Sequence, residues 1–307
     1  MQISTSLMFD RAIAQMGVTQ DRLSQTQMQL SSSKQVLKPS DAPDKSAIIT
    51  RMKSVIERQN SYLETMNTVK DKMAQQETAL KSADDVITRL KELAVQAAND
   101  TNSPQDRQYI GIEVKELRNQ LLSLANTQDV NGNYIFSGTR VGKPAFAADT
   151  TGKLVYQGDM TVSPAGIGDE REVATNRPGV SPFGKVVRTA EDGTRQGLGF
   201  FQAIDDFTAA LNANDAKSVQ RAVGEMGSLQ ETISGSLASV GASMNTLDGQ
   251  TALAEETLLR LKGSLSKIED VNYAEAITKM NKDMLALEAA QSSFAKISQL
   301  NLFNYIR

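Results

Sequence analysis

Apolar side chains recur at seven-residue intervals in four separate stretches of the chain, and that spacing predicts a helix in each. From Asp44 to about Ala98, one heptad position holds Ile48, Val55, Tyr62, Val69, Gln76, Ala83, Leu90 and Ala97. The other holds Met52, Gln59, Met66, Met73, Leu80, Ile87 and Ala94. Some 50 residues at about 1.5 Å each make a helix of roughly 75 Å, too long for an ordinary globular core. Asn214-Asp215 then caps a second rod of like length. Its columns are Val219, Met226, Ile233, Val240, Leu247, Ala254, Leu261 and Ile268, and Val223, Gln230, Leu237, Met244, Thr251, Leu258 and Leu265. Two matched rods separated by an insert pack most simply against each other. The expectation is a mainly α fold: a long antiparallel coiled-coil rod with paired N- and C-terminal helices and a small inserted β-rich domain.

The two ends carry a different pattern. Phe9, Met16, Leu23, Leu30 and Leu37 stand at strict seven-residue steps, but four residues beyond the first four come Ile13, Gln20, Gln27 and Lys34, which gives half a seam. In the last stretch Tyr273, Ile277, Met280, Met284, Leu287, Phe294 and Ile297 form one stripe, widened by Leu285, Ala289, Ala290, Leu300, Leu302 and Phe303. A helix apolar over so much of its circumference needs cover from several sides. One N-terminal column cannot supply it, so the expected assembly interface runs over Phe9, Met16, Leu23, Leu30 and Leu37 and over Tyr273 to Phe303, covered by other copies of the chain. In the free monomer these ends are expected to be mobile.

Punctuation divides the chain further. Lys38-Pro39-Ser40-Asp41-Ala42-Pro43 interrupts the first helix. Ser103-Pro104 offers an N-cap followed by Pro at the first helical position, opening a helix to about Gln128 with Ile110, Val114, Leu117, Leu121 and Leu124 on one face. Residues 131–199 contain twelve of the twenty Gly and four of the seven Pro. The runs Asn133–Phe136, Lys153–Tyr156 and Lys185–Arg188 between them read as short strands. Phe200, Ile204, Phe207 and Leu211 return to helical spacing. The expected layout is a terminal assembly domain from 1–40 and 269–307, rod halves 41–130 and 200–268, and an outward β-rich module at 131–199.

Composition removes most chemistry. The chain has no Cys, His or Trp, which excludes thiol and Ser-His-Asp catalysis and structural zinc. A net charge of −3 with interspersed signs gives no nucleic-acid patch. No run approaches the roughly 18 apolar residues of a membrane span, and the N-terminal stretch lacks a basic region followed by an apolar core, so export without a cleaved signal peptide is expected. Gly138–Pro144 resembles a phosphate loop but is one residue short and has Pro where Ser or Thr would hold magnesium. Asp84-Asp85, Asp205-Asp206 and Glu255-Glu256 are helical neighbours that point apart, unlike an acid/base pair. Neither an enzyme nor a cofactor is expected. Asn99-Asp100-Thr101 fits a glycosylation sequon, a pattern common by chance.

Four stretches together resemble the bacterial flagellin superfamily over the whole length. They are Ile3-Ser4-Thr5, the run from Leu30 through Ser33 to Lys38-Pro39-Ser40-Asp41, Asn133-Tyr134-Ile135-Phe136-Ser137-Gly138-Thr139, and Val271-Asn272-Tyr273-Ala274-Glu275-Ala276 onward. The aromatic ending Leu302-Phe303-Asn304-Tyr305 is similar to that of the hook–filament junction branch, where filament subunits tend to end in Leu-Leu-Arg. The resemblance implies a structural subunit of the extracellular flagellum, self-assembling into a helical ring through its terminal helices. It also implies another hook-associated protein on the hook side, flagellin on the filament side, unfolded export through the flagellar type III channel, and a chaperone on the C-terminal helix. Ser33 stands where many relatives carry Gly, so no Gly-specific backbone conformation is expected there. Two alternatives remain open: a flagellin-type filament subunit, and a secreted coiled-coil adaptor that works as a dimer.

Overall fold

The computed structural model describes residues 2–189 and 194–300, with backbone alone for residues 2–6, 8, 189 and 297–300. Among these the helices are α1 (Gln2–Ser32), α2 (Pro43–Ala97), α3 (Pro104–Ala125), α4 (Phe200–Asn212), α5 (Ala216–Glu269) and α6 (Tyr273–Leu300). The strands pair as three antiparallel hairpins: β1 (Phe146–Ala148) with β2 (Leu154–Tyr156), β3 (Pro164–Gly166) with β4 (Glu172–Ala174), and β5 (Lys185–Thr189) with β6 (Arg195–Gly199). The chain forms two compact units, Asn60–Glu255 in one and the residues up to Gln59 with those from Glu256 onward in the other.

In the Asn60–Glu255 unit, α2 and α5 run antiparallel in one register. Thr251 Oγ1 lies 3.6 Å from Met66 Sδ, Lys70 pairs with Asp248 at 2.5 Å, Ser234 donates to Asp84 at 2.9 Å and Gln230 to Thr88 at 3.0 Å. Both expected columns of α2 are buried from Met66 to Ala97. Ala79, Val86 and Leu93 add a third buried column, in the same core as Ile110, Val114 and Leu121 of α3 and Ile204, Phe207 and Leu211 of α4. Ser103 caps α3 through a full capping box with Asp106. Buried Arg107 then ties three segments together, donating to the carbonyls of Ala97 and Asn99 and, at 2.5 Å, to Asn214 Oδ1.

Residues 131–199 differ from expectation in detail. Asn133–Phe136 is not a strand: the Tyr134 N–H goes to the Val141 carbonyl and the Ile135 N–H to Thr127, so successive residues bond different partners and no ladder propagates. The sequences Asp129-Val-Asn-Gly-Asn and Asp149-Thr-Thr-Gly-Lys build the same turn. In each the Asp carboxylate accepts the N–H groups two and four residues on, and the Gly sits left-handed at φ 79 or 81. Phe136, Phe146, Phe183, Phe200 and Phe201 pack ring against ring, with centroids 5.2–6.4 Å apart, and join the hairpins to α4. Arg188 on β5 bonds both Asp206 on α4, at 2.6 Å, and buried Glu225 on α5, at 2.5 Å.

In the other unit, α1 stops at Ser32, well before Lys38-Pro39. Proline does not end it. Ser33 turns left-handed at φ 60, and the next residues leave the helix axis to pair with the end of α5. The expectation that no Gly-type conformation is required at Ser33 is therefore wrong: the conformation is there, and Ser bears its cost. Leu37 consequently lies in the α1–α2 connector, half-buried, and is not part of the helical column it continues in the sequence.

A candidate assembly face on the terminal helix pair

Helices α1 and α6 pack against each other, with Phe9 and Phe294 meeting edge to face at a centroid distance of 5.4 Å. The seam on α1 consists of Phe9, Ala12, Met16, Thr19, Leu23, Thr26 and Leu30, alternating by three and four residues. Its second column thus lies three residues after the first. The positions four residues on, Ile13, Gln20 and Gln27, lie outside it; Ala12, Thr19 and Thr26 complete the seam with small side chains that let the helices approach. On α6 the seam is Ala276, Met280, Asp283, Leu287, Ala290 and Phe294.

The expected interface residues therefore separate into two sets. Phe9, Met16, Leu23, Leu30, Met280, Leu287 and Phe294 are half-buried between the two helices. Tyr273, Ile277 and Met284 remain exposed at 49%, 45% and 39%. Leu285, at 68%, joins them from α6, and Leu7, Ile13, Val18 and Met28 expose further apolar surface on α1. Ile13 and Leu285 were visible in the sequence; Leu7 and Met28 share a heptad position interrupted by Ala14 and Asp21, Val18 stands apart from it, and all three were missed. The side chains of Ile297 and Leu300, and all of Leu302 and Phe303, lie outside the described residues. One polar group breaks the seam: Asp283 Oδ2 is buried without a hydrogen-bond partner.

At the Tyr273 end the pair is fastened to α2 and α5. Gln35 N–H donates to the Glu269 carbonyl at 2.7 Å, and Val271 N–H to the Ser33 carbonyl at 3.0 Å, which makes Lys34 and Asp270 an antiparallel bridge. The Glu269 carboxylate accepts from Lys34 at 2.9 Å and Lys53 at 2.7 Å, and the hydroxyls of Ser33 and Tyr273 lie 2.5 Å apart. Burial pushes the Glu269 carboxyl up, but the hydrogen bonds from Lys53 and Lys34 outweigh it and hold the group below the usual carboxylate range.

Among the described residues no cluster of three or more potential metal ligands occurs, and no helix is long and apolar enough to cross a membrane. In the loop that resembles a phosphate site, a protein carboxylate already takes the donors: Asp159 accepts the Thr139 and Thr161 N–H groups at 3.0 Å and the Thr139 hydroxyl, which holds its pKa at about 2.

Comparison with known proteins gives this geometry a family. The bacterial flagellin N-terminal helical region matches residues 3–140, and the C-terminal helical region matches residues 219–306. Flagellar hook-associated protein 3 of Escherichia coli (strain K12) is 26% identical over 245 residues, covering 76% of each chain. Flagellin FlaB2 of Treponema pallidum is 25% identical over 223 residues, covering 73% of this chain and 70% of its own. FlgL from Xanthomonas campestris shares the fold with a TM-score of 0.62 at 23% identity, over 71% of this chain and 99% of that one. The matched regions contain α1 to α3, nearly all of α5, and α6, and leave out most of the hairpin segment; the chain belongs to the bacterial flagellin family, a family of structural components of the flagellum.

Proposed function

We propose that this chain is the structural subunit that joins the hook to the filament, working outside the cell and without catalysis. The observation that carries the reading is the α1–α6 pair. It closes its own seam yet leaves Ile13, Met28, Ile277 and Leu285 uncovered, in a chain similar to a hook-associated protein over three quarters of the length of both. An isolated pair of helices with an open apolar side gains by burying it, at about 25 cal/mol per Å². Neighbouring copies in a helical ring supply that cover, with a second hook-associated protein on the hook side and flagellin on the filament side. Residues 1–40 and 269–307 then act as the assembly part, 41–130 and 200–268 as the rod, and 131–199 as the outward module. The same uncovered α6 face suits an export chaperone, and passage without a cleaved signal peptide belongs to this reading.

A filament subunit is the second reading, favoured by the match to FlaB2 over 73% of this chain. Labelling separates the two. An epitope placed at the exposed Thr151-Gly152 turn should mark a single band at the hook–filament boundary under electron microscopy. Label along the whole filament would establish the second reading instead, and unlabelled flagella would exclude both.

A further inference from the structure

The arginines drawn out of solvent in the Asn60–Glu255 unit have strong acceptors, Arg177 excepted. Buried Arg107 donates to two carbonyls and to Asn214, Arg118 grips Asp205 with bonds of 2.9 and 3.1 Å, and Arg188 holds Asp206 and Glu225. Arg177 stands half-buried in the loop after β4, and among the described residues the acceptor it reaches is Ser239 Oγ on α5, at 2.9 Å. A guanidinium has five N–H donors, and a charge taken out of water is costly until it is paired. Burial alone holds the Arg177 guanidinium below the usual arginine range; no carboxylate pulls it back.

The neighbours of this cation are hydroxyls. Ser181, four residues on, faces Ser236 of α5 with 3.4 Å between their oxygens, long for an O–H···O bond. Ser236 is nonetheless buried, at 5% exposure, and lies one helical turn from Ser239. Thr232, Ser243 and Thr246 of the same helix turn their hydroxyls back onto carbonyls four residues earlier. Ser236 and Ser239 make no such bond, which leaves their hydroxyls directed at Ser181 and Arg177. Gly235, exposed beside them, keeps space open, since a Cβ there would meet nothing within 4 Å. Within one helical turn the patch therefore offers a planar cation and several hydroxyl donors. An oxyanion answers that set: two of its oxygens fit the guanidinium fork, and its remaining lone pairs accept from hydroxyls.

We propose that Arg177 and the hydroxyls of Ser181, Ser236 and Ser239 form a binding site for an oxyanion of the phosphate or carboxylate type, which pins the loop after β4 to α5. The anion comes from solution or is a carboxylate side chain of a neighbouring copy; only the second source rests on the function proposed above.

Phosphorus NMR line widths of inorganic phosphate, titrated with the full-length chain at constant ionic strength, test the site. Wild type should broaden the signal saturably, with affinity in the millimolar range. Arg177→Met keeps an apolar stem and removes the charge-assisted bonds, so affinity should fall about tenfold or more. Ser236→Ala removes one hydroxyl at a helical position that suits Ala, and should weaken binding about threefold with the fold intact. Arg140→Met, at an arginine 63% exposed and outside the patch, should leave binding as it is. No saturable broadening with wild type, or the same broadening with Arg177→Met and Ser236→Ala, would overturn the site. Equal loss with Arg140→Met would reveal attraction to surface charge alone and overturn it too. Restoring filaments with Arg177→Met in a strain lacking the chain then identifies the source. Filaments lost from a variant that unfolds like wild type assign the anion to a neighbouring copy; filaments retained assign it to solution. Phosphate binding is read on the isolated chain, so its failure stays distinct from failure of the junction reading.

Discussion

Leu285→Glu isolates the uncovered face of α6 from everything else the helix does. Leu285 is 68% exposed and lies outside the seam formed by Ala276, Met280, Leu287 and Phe294. Glu and Leu have similar helix propensities, and the like charge of Glu288 three residues on is offset by Lys282 three residues back. The monomer should therefore change in stability by less than about 0.5 kcal/mol. In an assembly the balance is different. Burying a Leu is worth about 1.5–3 kcal/mol, so the exposed two thirds represent about 1–2 kcal/mol per copy, and an unpaired carboxylate in an apolar contact adds at least about 1 kcal/mol more. A loss of about 2 kcal/mol or more weakens each contact at least thirtyfold. The assay pairs thermal unfolding of the purified variant with its ability to restore filaments in a strain lacking the chain. Val130→Glu is the control, since Val130 is 92% exposed but belongs to the Asn60–Glu255 unit. An unfolding midpoint like that of wild type with filaments lost is expected for Leu285→Glu, and filaments retained for Val130→Glu. Normal filaments from Leu285→Glu would refute the reading of this face.

Four further outcomes follow from particular contacts. Asp283→Leu should stabilise the terminal helix pair by about 1–3 kcal/mol, because it removes a buried, unpartnered carboxylate oxygen from the seam; denaturant unfolding checks this. Ser33→Gly should be nearly neutral, relief of a left-handed residue offsetting the lost bond to Tyr273, whereas Ser33→Val should cost about 2 kcal/mol or more by the same measurement. Because the Glu269 carboxyl is held below its ordinary value, its contribution is fully present above the unfolded-state pKa of about 4.3 and is lost as pH falls through the lower folded value. Wild type should thus lose its stability advantage over Glu269→Gln only below about pH 4 in acid titrations followed by circular dichroism. Gly138→Ala should destabilise the hairpin segment by more than about 2 kcal/mol, seen as faster proteolysis, since a Cβ there would lie 2.3 Å from the Asp159 carbonyl at a φ of +69.

The rods were legible in the sequence because a buried seam repeats: columns such as Val69, Gln76, Ala83, Leu90 and Val219, Met226, Ile233 are buried where the heptad puts them. The terminal seam was half legible. Its large residues were found, but Ala12, Thr19 and Thr26 carry no hydrophobic signal, so a complete seam looked incomplete. The open side of the pair was visible for a different reason: Ile277, Met284 and Leu285 are apolar positions beyond the seam, and they stand exposed. The bridge between Lys34 and Asp270 was not legible at all. Lys34, Glu269 and Asp270 are ordinary polar residues far apart in the chain, and only pairing in space makes a unit of them. Ser33 shows the same limit from another side: a left-handed residue without Gly leaves no trace in composition. In the hairpin segment turn residues marked the hairpin ends, but Asn133–Phe136 has strand composition with diverging backbone partners, which composition does not encode.

Deleting the coding gene in an otherwise motile source strain tests the central claim most directly. A hook–filament junction subunit predicts hooks of normal length without filaments, and intact flagellin released into the medium. Hooks bearing normal filaments would contradict the account, as would bare hooks with no flagellin in the medium.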